Sequence, residues 1–173
     1  MSLLHFGQEH GTSRLAVMKV KEMMTRYPER IRPDAPLVEA AQKMLALDIG
    51  MLIVSEDEQM VGTLTDRDIV VHAIALGASP QTTPVRSVMN PRVICCFEDW
   101  VVEEAAALME ENRVRRLPVL HEDGRVIGIL SLGDLATRSD EKARAGQVLA
   151  RVAAPGAASP ATLTLSQDPQ KPT

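Results

Sequence analysis

Gly62-Thr63-Leu64-Thr65-Asp66-Arg67-Asp68-Ile69 leaves an apolar run, passes a hydroxyl residue and reaches an aspartate three positions on, and Gly128-Ile129-Leu130-Ser131-Leu132-Gly133-Asp134-Leu135 does the same 66 residues later. Local chemistry reads each copy as a strand running into a helix start. Thr65 and Ser131 are the expected N-caps, and Asp68 and Asp134 occupy the third helical position of a capping box. The same stretch is suited to a ligand, because free N–H groups at a helix start attract phosphate while a hydroxyl and a carboxylate nearby can bond phosphate and sugar. A self-contained capping box is the competing reading, and local spacing alone does not separate the two.

Working outward, the whole surrounding unit recurs. Val20-Lys21-Glu22-Met23-Met24-Thr25 matches Val85-Arg86-Ser87-Val88-Met89-Asn90 at an offset of 65 residues, and Asp34-Ala35-Pro36-Leu37-Val38-Glu39-Ala40-Ala41 answers Asp99-Trp100-Val101-Val102-Glu103-Glu104-Ala105-Ala106. The offset becomes 66 after a turn at Glu122-Asp123-Gly124 that is one residue longer than its partner near Glu56-Asp57-Glu58. Leu37, Ala40, Ala41, Met44 and Leu45 keep helical spacing, as do Val102, Ala105, Ala106 and Met109, so each set predicts a helix with one buried face. Asp34 and Asp99 are the expected N-caps of these helices. Met51-Leu52-Ile53-Val54 and Leu117-Pro118-Val119-Leu120 each lead through an acidic turn to a second apolar run, the pattern of a hairpin. A further helix follows, with Ile69, Val70, Ala73 and Ile74 on one face and Gly77 as its stop in the first copy.

The expected architecture is therefore a mixed α/β (α+β) fold of two tandem β-α-β-β-α repeats packed as one pseudo-two-fold module. Its divisions are a flexible arm over 1–17, a first repeat over 18–78, a Pro-interrupted linker over 79–84, a second repeat over 85–138, a C-terminal helix over 139–154 carrying Val148, Leu149 and Val152, and a disordered tail over 155–173.

Composition narrows the function. The chain has 173 residues and a formal net charge of −4, with 45% hydrophobic residues, one Trp, one Tyr and two Phe. An aliphatic core follows, and neither a broad basic surface nor an aromatic platform for nucleic acid is visible. No apolar run approaches the roughly 20 residues that span a bilayer, and the first residues lack a signal-peptide pattern, so a cytoplasmic protein without membrane attachment is expected. Cys95 and Cys96 are adjacent on an expected strand, point to opposite faces and make a poor disulfide pair. The four His have no metal-ligand spacing, no nucleophile has an identifiable base, and no P-loop is present, so neither a metal site nor an enzyme is expected.

Tandem units of this size, each closing with G-h-x-[ST]-x-x-D, resemble the CBS domain pair or Bateman module. The resemblance covers roughly residues 18 to 138, and Thr65-Asp66-Arg67-Asp68-Ile69-Val70 with Val114-Arg115-Arg116-Leu117-Pro118-Val119 is similar to small stand-alone bacterial members. It implies a non-catalytic regulatory sensor binding AMP, ADP or ATP, or else NAD or S-adenosylmethionine, in clefts between the repeats, with no obligatory cofactor. Asp68 and Asp134 would take ribose hydroxyls, Thr65 and Ser131 phosphate, and Arg67 and Arg116 further phosphate charge. Backbone around Met51-Leu52 and Arg116-Leu117, with Ile31, Ile94 and Pro118, would border the adenine. The resemblance also implies a homodimer, with the Met-bearing helices as candidate contacts, acting on a downstream protein that the sequence does not name. The alternatives are a dimerisation or docking module with vestigial sites, and a stress- or redox-responsive protein acting through Cys95 and Cys96.

The copies are unequal. Arg67 is answered by Gly133, and Arg113, Arg115 and Arg116 are answered by Asp48, Gly50 and Met51, while Pro118 is answered by Ile53. Phosphate charge is thus expected to be held asymmetrically. Strand alternation would turn only one of the neighbours Arg115 and Arg116 inward.

Overall fold

A computed structural model describes residues 18–138 together with Gly146 and Ala150, both helical and exposed. The expectations for 1–17, for the rest of 139–154 and for 155–173 lie outside the described residues. The chain begins with a short helix α1 (Val20–Met23) and strand β1 (Thr25–Arg26). The first repeat then runs β2 (Arg30–Ile31), α2 (Leu37–Leu47), β3 (Met51–Glu56), β4 (Gln59–Thr65) and α3 (Asp66–His72). The second opens with a 3-10 turn, Val85–Ser87, and runs β5 (Cys96–Phe97), α4 (Val102–Asn112), β6 (Arg116–Leu120), β7 (Val126–Ser131) and α5 (Leu132–Arg138).

Each repeat forms a mixed sheet. β2 and β3 are parallel and β3 and β4 antiparallel, and β5, β6 and β7 repeat that arrangement. The hairpins differ as the shift in offset requires. Asp57 and Glu58 both take positive φ (47° and 70°) in the two-residue turn between Glu56 and Gln59, whereas the second hairpin needs a longer turn with Gly124 at φ 85°. A two-residue hairpin with both central residues left-handed matches the strand twist, and the added residue is accommodated by a glycine.

The opening segment of each repeat is exchanged with the other. β1 joins the second sheet, Thr25 lying opposite Ile129 on β7, and Asn90 bridges to Thr63 on β4 at the corresponding place. Val20, Met23 and Met24 are buried in the second repeat's core with Met109, Leu117 and Leu130, while Val85 and Val88 are buried in the first repeat's core with Leu37, Leu52 and Leu64. A third, smaller cluster of Met51, Ile53 and Val126 joins the two sheets.

This exchange replaces the expected helix caps. Pro36 and Val101, not Asp34 and Asp99, precede the helices, and neither makes a side-chain cap bond. The Leu37 N–H instead donates to Thr83 O (3.0 Å) and the Val102 N–H to Met18 O (2.9 Å), so backbone from the exchanged segments satisfies the first orphan donor of each helix. Asp34 accepts from Arg32 (3.1 Å) and Asp99 from the Lys21 ammonium (2.6 Å).

The buried faces are narrower than the periodicity suggests. Leu37, Ala40 and Met44 are buried on α2, but Leu45 is 84% exposed, and of the α3 stripe Ile69 and Ala73 are buried while Val70 and Ile74 are not. Met44 and Met109 are internal and offer nothing to a partner. The helix after β4 also breaks at Ala73, passing into a 3-10 turn (Ile74–Leu76) that Gly77 closes at φ 74°.

Candidate functional site

The two glycines that open the repeated motif are where the exchanged backbone comes closest. A Cβ on Gly62 would lie 2.9 Å from Asn90 O, and one on Gly128 would lie 2.5 Å from Met24 Sδ and 2.9 Å from Thr25 O. Only glycine allows that approach. The motif's first residue therefore serves the contact between repeats, and its last serves the helix start beyond it.

At that helix start Thr65 and Asp68 form a closed pair. The Thr65 N–H and hydroxyl both donate to Asp68 Oδ2 (2.9 and 2.6 Å), and the Asp68 N–H donates back to Thr65 Oγ1 (3.1 Å). Ser131 and Asp134 reproduce the three bonds at 2.9, 2.6 and 3.1 Å. The capping box is thus real in both copies. In the first it leaves Asp68 Oδ1 facing His72 Nδ1 at 3.8 Å, with one carboxylate oxygen turned away from the cap.

Beside this pair a cleft of about 540 Å³ opens between the repeats. The first repeat contributes Met51, Thr63 and Thr65 to Asp68; the second contributes Asn90, Arg92 to Ile94, Arg113 to Arg116, and Pro118. Of the sequence candidates, Thr65, Asp68, Arg67, Arg116, Met51, Ile94 and Pro118 meet here. Leu52 and Leu117 are not among its lining residues, their side chains being fully buried in separate cores. Ile31 lies in the first core and borders a different, smaller hollow with Arg30 and Ser55, because its counterpart across the repeat is Cys96 and not Ile94. Ser131 and Asp134 stand at the other helix start, outside this cleft.

Both Arg115 and Arg116 line the cleft, against the expectation that only one would. Strand alternation does not apply to Arg115, which sits in a bend before β6 and whose carbonyl accepts from the Leu132 N–H (3.0 Å). Sequence reasoning also passed over Asp66, Asn90 and Arg92. Arg92 follows the opening segment of the second repeat, and only the exchange of that segment carries it to the first repeat's motif. Among the described residues no acid forms an ion pair with Arg67, Arg92, Arg113, Arg115 or Arg116. Five guanidinium groups against the two carboxylates of Asp66 and Asp68 leave the cleft with an excess of positive charge, which a concave surface concentrates and which suits phosphate.

The surroundings of the two cysteines disfavour their thiolates. Burial pushes the Cys95 thiol up to about 11 and that of Cys96 to about 12, with the neighbouring thiol adding to the second. Among the described residues no three His, Cys, Asp or Glu side chains gather as a metal site would require, and no helix is long and apolar enough to cross a membrane.

Duplicated sheets, exchanged openings and a twice-used G-h-x-[ST]-x-x-D turn are joined by a direct match to the CBS domain family over residues 20–74 and 85–141. The chain belongs to the CBS domain family. Among curated relatives, CBS domain-containing protein YhcV of Bacillus subtilis is 34% identical over 133 residues, covering 77% of this chain and 94% of YhcV. Inosine-5′-monophosphate dehydrogenase of Methanocaldococcus jannaschii is 37% identical over 124 residues, but the match spans 71% of this chain and only 24% of that enzyme, so the likeness is to a part of it. Among solved structures, the CBS domain protein NE2398 shares 39% identity at a TM-score of 0.66, over 70% of this chain and 96% of that one. The CBS domain pair of MJ0100, solved with 5′-methylthioadenosine and S-adenosyl-L-methionine, shares 25% identity at a TM-score of 0.64, over 69% of this chain and 94% of its own. As a CBS pair, the chain is a regulatory module.

Proposed function

We propose that this CBS pair is a non-catalytic sensor of an adenine nucleotide, bound in the cleft between the repeats. The observation that carries the reading is the convergence in one cleft of the Asp68 carboxylate, the apolar side chains of Met51, Val93, Ile94 and Pro118, and five arginines. Asp68 Oδ1 accepts from a ribose hydroxyl, the apolar wall covers the base, and the arginines meet phosphate. That MJ0100 was solved with two adenosine compounds supports the choice of nucleoside. Because the cleft is built from both repeats, ligand favours one arrangement of the pair over another, which is the physical basis of a regulatory signal.

The test is calorimetric titration of ATP, ADP and AMP into wild type, Asp68→Asn and Asp68→Ala. A charge-assisted hydrogen bond contributes about 1.5–3 kcal/mol, so Asp68→Ala is expected to weaken binding by roughly ten- to a hundredfold. Asp68→Asn keeps an oxygen for the cap and separates lost binding from a lost helix start. Full affinity in both variants would remove Asp68 from the site.

Leu45, Leu47, Val70, Val71, Ile74 and Leu76 are all exposed on α2, α3 and the turn after it, and among the described residues no comparable set occurs on α4 or α5. We infer that this face joins two copies of the chain through their first repeats. The double substitution Leu45→Glu with Ile74→Glu is expected to convert a dimer into a monomer of unchanged helicity, measured by light scattering and circular dichroism. A wild type that is monomeric at high concentration would leave this face to a different partner.

A further inference from the structure

The five arginines of the cleft have no basic counterparts. Across the pseudo-two-fold, Arg67 is matched by Gly133, Arg92 by Tyr27, Arg113 by Asp48, Arg115 by Gly50 and Arg116 by Met51. The structure supports this correspondence position by position. Thr25 opposite Ile129 mirrors Asn90 opposite Thr63, the Asp66 N–H to Gly50 O bond mirrors the Leu132 N–H to Arg115 O bond, and Asp48 and Arg113 close α2 and α4 with the same left-handed backbone, φ 52° and 53°. The two capping boxes superimpose bond for bond.

The electrostatic consequences are opposite. On the Asp68 side, guanidinium groups come from both repeats, Arg67 from the first and Arg92, Arg113, Arg115 and Arg116 from the second, and they outnumber the carboxylates of Asp66 and Asp68. By the same correspondence the Asp134 side has, among the described residues, the carboxylate of Asp48 at the end of α2 where the Asp68 side has the Arg113 guanidinium at the end of α4, so at this position an anion is repelled and not attracted. Ile94 of the first cleft is answered there by Glu29, whose charge is met by Lys43 at 2.9 Å. The place of Arg92 is taken by Tyr27, 89% exposed and held at φ 58° with its N–H on Ile127 O. Its ring offers a π-face, which attracts cations and not phosphate. Arg115 and Arg116 adjoin the second helix start through their backbone, Arg115 O accepting from the Leu132 N–H and Arg116 lying opposite Ser131, yet both line the Asp68 cleft.

We infer that the two sides of the pair select adenosine ligands of opposite charge: the Asp68 cleft one carrying two or more phosphates, and the Asp134 side one carrying none. The inference rests on the adenosine reading proposed above and adds to it a charge rule for each side. A single module then reports two chemically distinct ligands, and the polyphosphate bridges arginines of both repeats while its companion does not.

Calorimetry with ATP, AMP and 5′-methylthioadenosine, at low and high salt, tests the rule on wild type, Asp68→Ala, Asp134→Ala and Arg113→Gly. The last variant places glycine at a left-handed position, so it removes charge without straining the fold, and thermal denaturation of each variant confirms that it is folded. Expected are ATP binding tighter than AMP, at least about tenfold weaker in Asp68→Ala and in Arg113→Gly, falling with salt and unmoved by Asp134→Ala. Methylthioadenosine binding should be lost in Asp134→Ala and insensitive to both Asp68→Ala and salt. If ATP depends on Asp134, or if both ligands bind both sides equally, the charge rule is overturned while the adenosine reading stands. If methylthioadenosine leaves the Asp134 side empty, the rule fails for that side. If none of the three binds folded wild type, the adenosine reading itself falls.

Discussion

The hydrogen-bonding capacity of Thr65 is largely taken by Asp68, since its hydroxyl both donates to and accepts from that one residue. Its proton is therefore engaged by Asp68, and in the proposed site phosphate falls to the arginines rather than to the hydroxyls named by the motif. The half-buried Cys95 and the buried Cys96 differ from free thiols in a testable way. With its thiol raised to about 11, Cys95 holds roughly one part in a thousand of thiolate at pH 8. The rate of alkylation by iodoacetamide under native conditions is expected to keep rising to pH 10 and beyond, while the urea-unfolded chain levels off near pH 9. A native plateau below pH 9 would restore the redox reading. The linkage has a definite sign: the folded state holds the thiol protons more tightly, so this contribution to stability is complete below the unfolded value of about 8.5 and is lost as pH climbs toward 11. The residue types at the site were legible in the sequence because the motif repeats, and so was the inequality of Arg67 and Gly133. Arg92 was not, since nothing local to it signals a ligand, and Arg115 was misread because strand alternation was applied one residue too early.

At the scale of elements, the order strand, helix, strand, strand, helix was legible from periodicity alone, as were both hairpins and the place of Gly77. What periodicity could not show is which sheet an opening segment joins. A strand of two residues such as β1 carries no pattern, and its position is decided by the groove it enters. The glycines of the motif are the signature of that groove. Gly128→Ala places a methyl 2.9 Å from a backbone carbonyl as well as against the Met24 sulfur, and the carbonyl cannot step aside without releasing β1 from β7. A destabilisation of about 1–3 kcal/mol is expected from such overpacking, read as a lower urea midpoint. Gly124→Ala, at a positive-φ turn with open space around it, should cost only the backbone term of about 1 kcal/mol. Equal effects from the two substitutions would show that the close approach is not the constraint.

For the whole molecule, the exchange makes each core depend on the other repeat's chain. Val20, Met23 and Met24 sit among side chains that begin 70 residues later, and Val85 and Val88 fill the core of the repeat that precedes them. Neither unit can unfold alone without leaving the other's opening segment unburied, and burial of a Val or Met side chain contributes about 1.5–3 kcal/mol. The same coupling lets a ligand held between the repeats act on both. It also predicts one cooperative transition. Trp100 packs against the second core and reports it by fluorescence, whereas far-UV circular dichroism reports all the helices. Val85→Ala leaves a cavity in the first core, a different cluster from the one that Trp100 packs against, although it precedes Trp100 by only fifteen residues in sequence. In urea the fluorescence and dichroism midpoints of this variant are expected to fall together, by an amount set by about 1–3 kcal/mol of lost burial, with the slope unchanged. A Trp100 midpoint that stays at the wild-type value while the dichroism transition broadens would mean two independent cores, and the exchanged segments would then be mere contacts and not the structural tie through which ligand binding is transmitted.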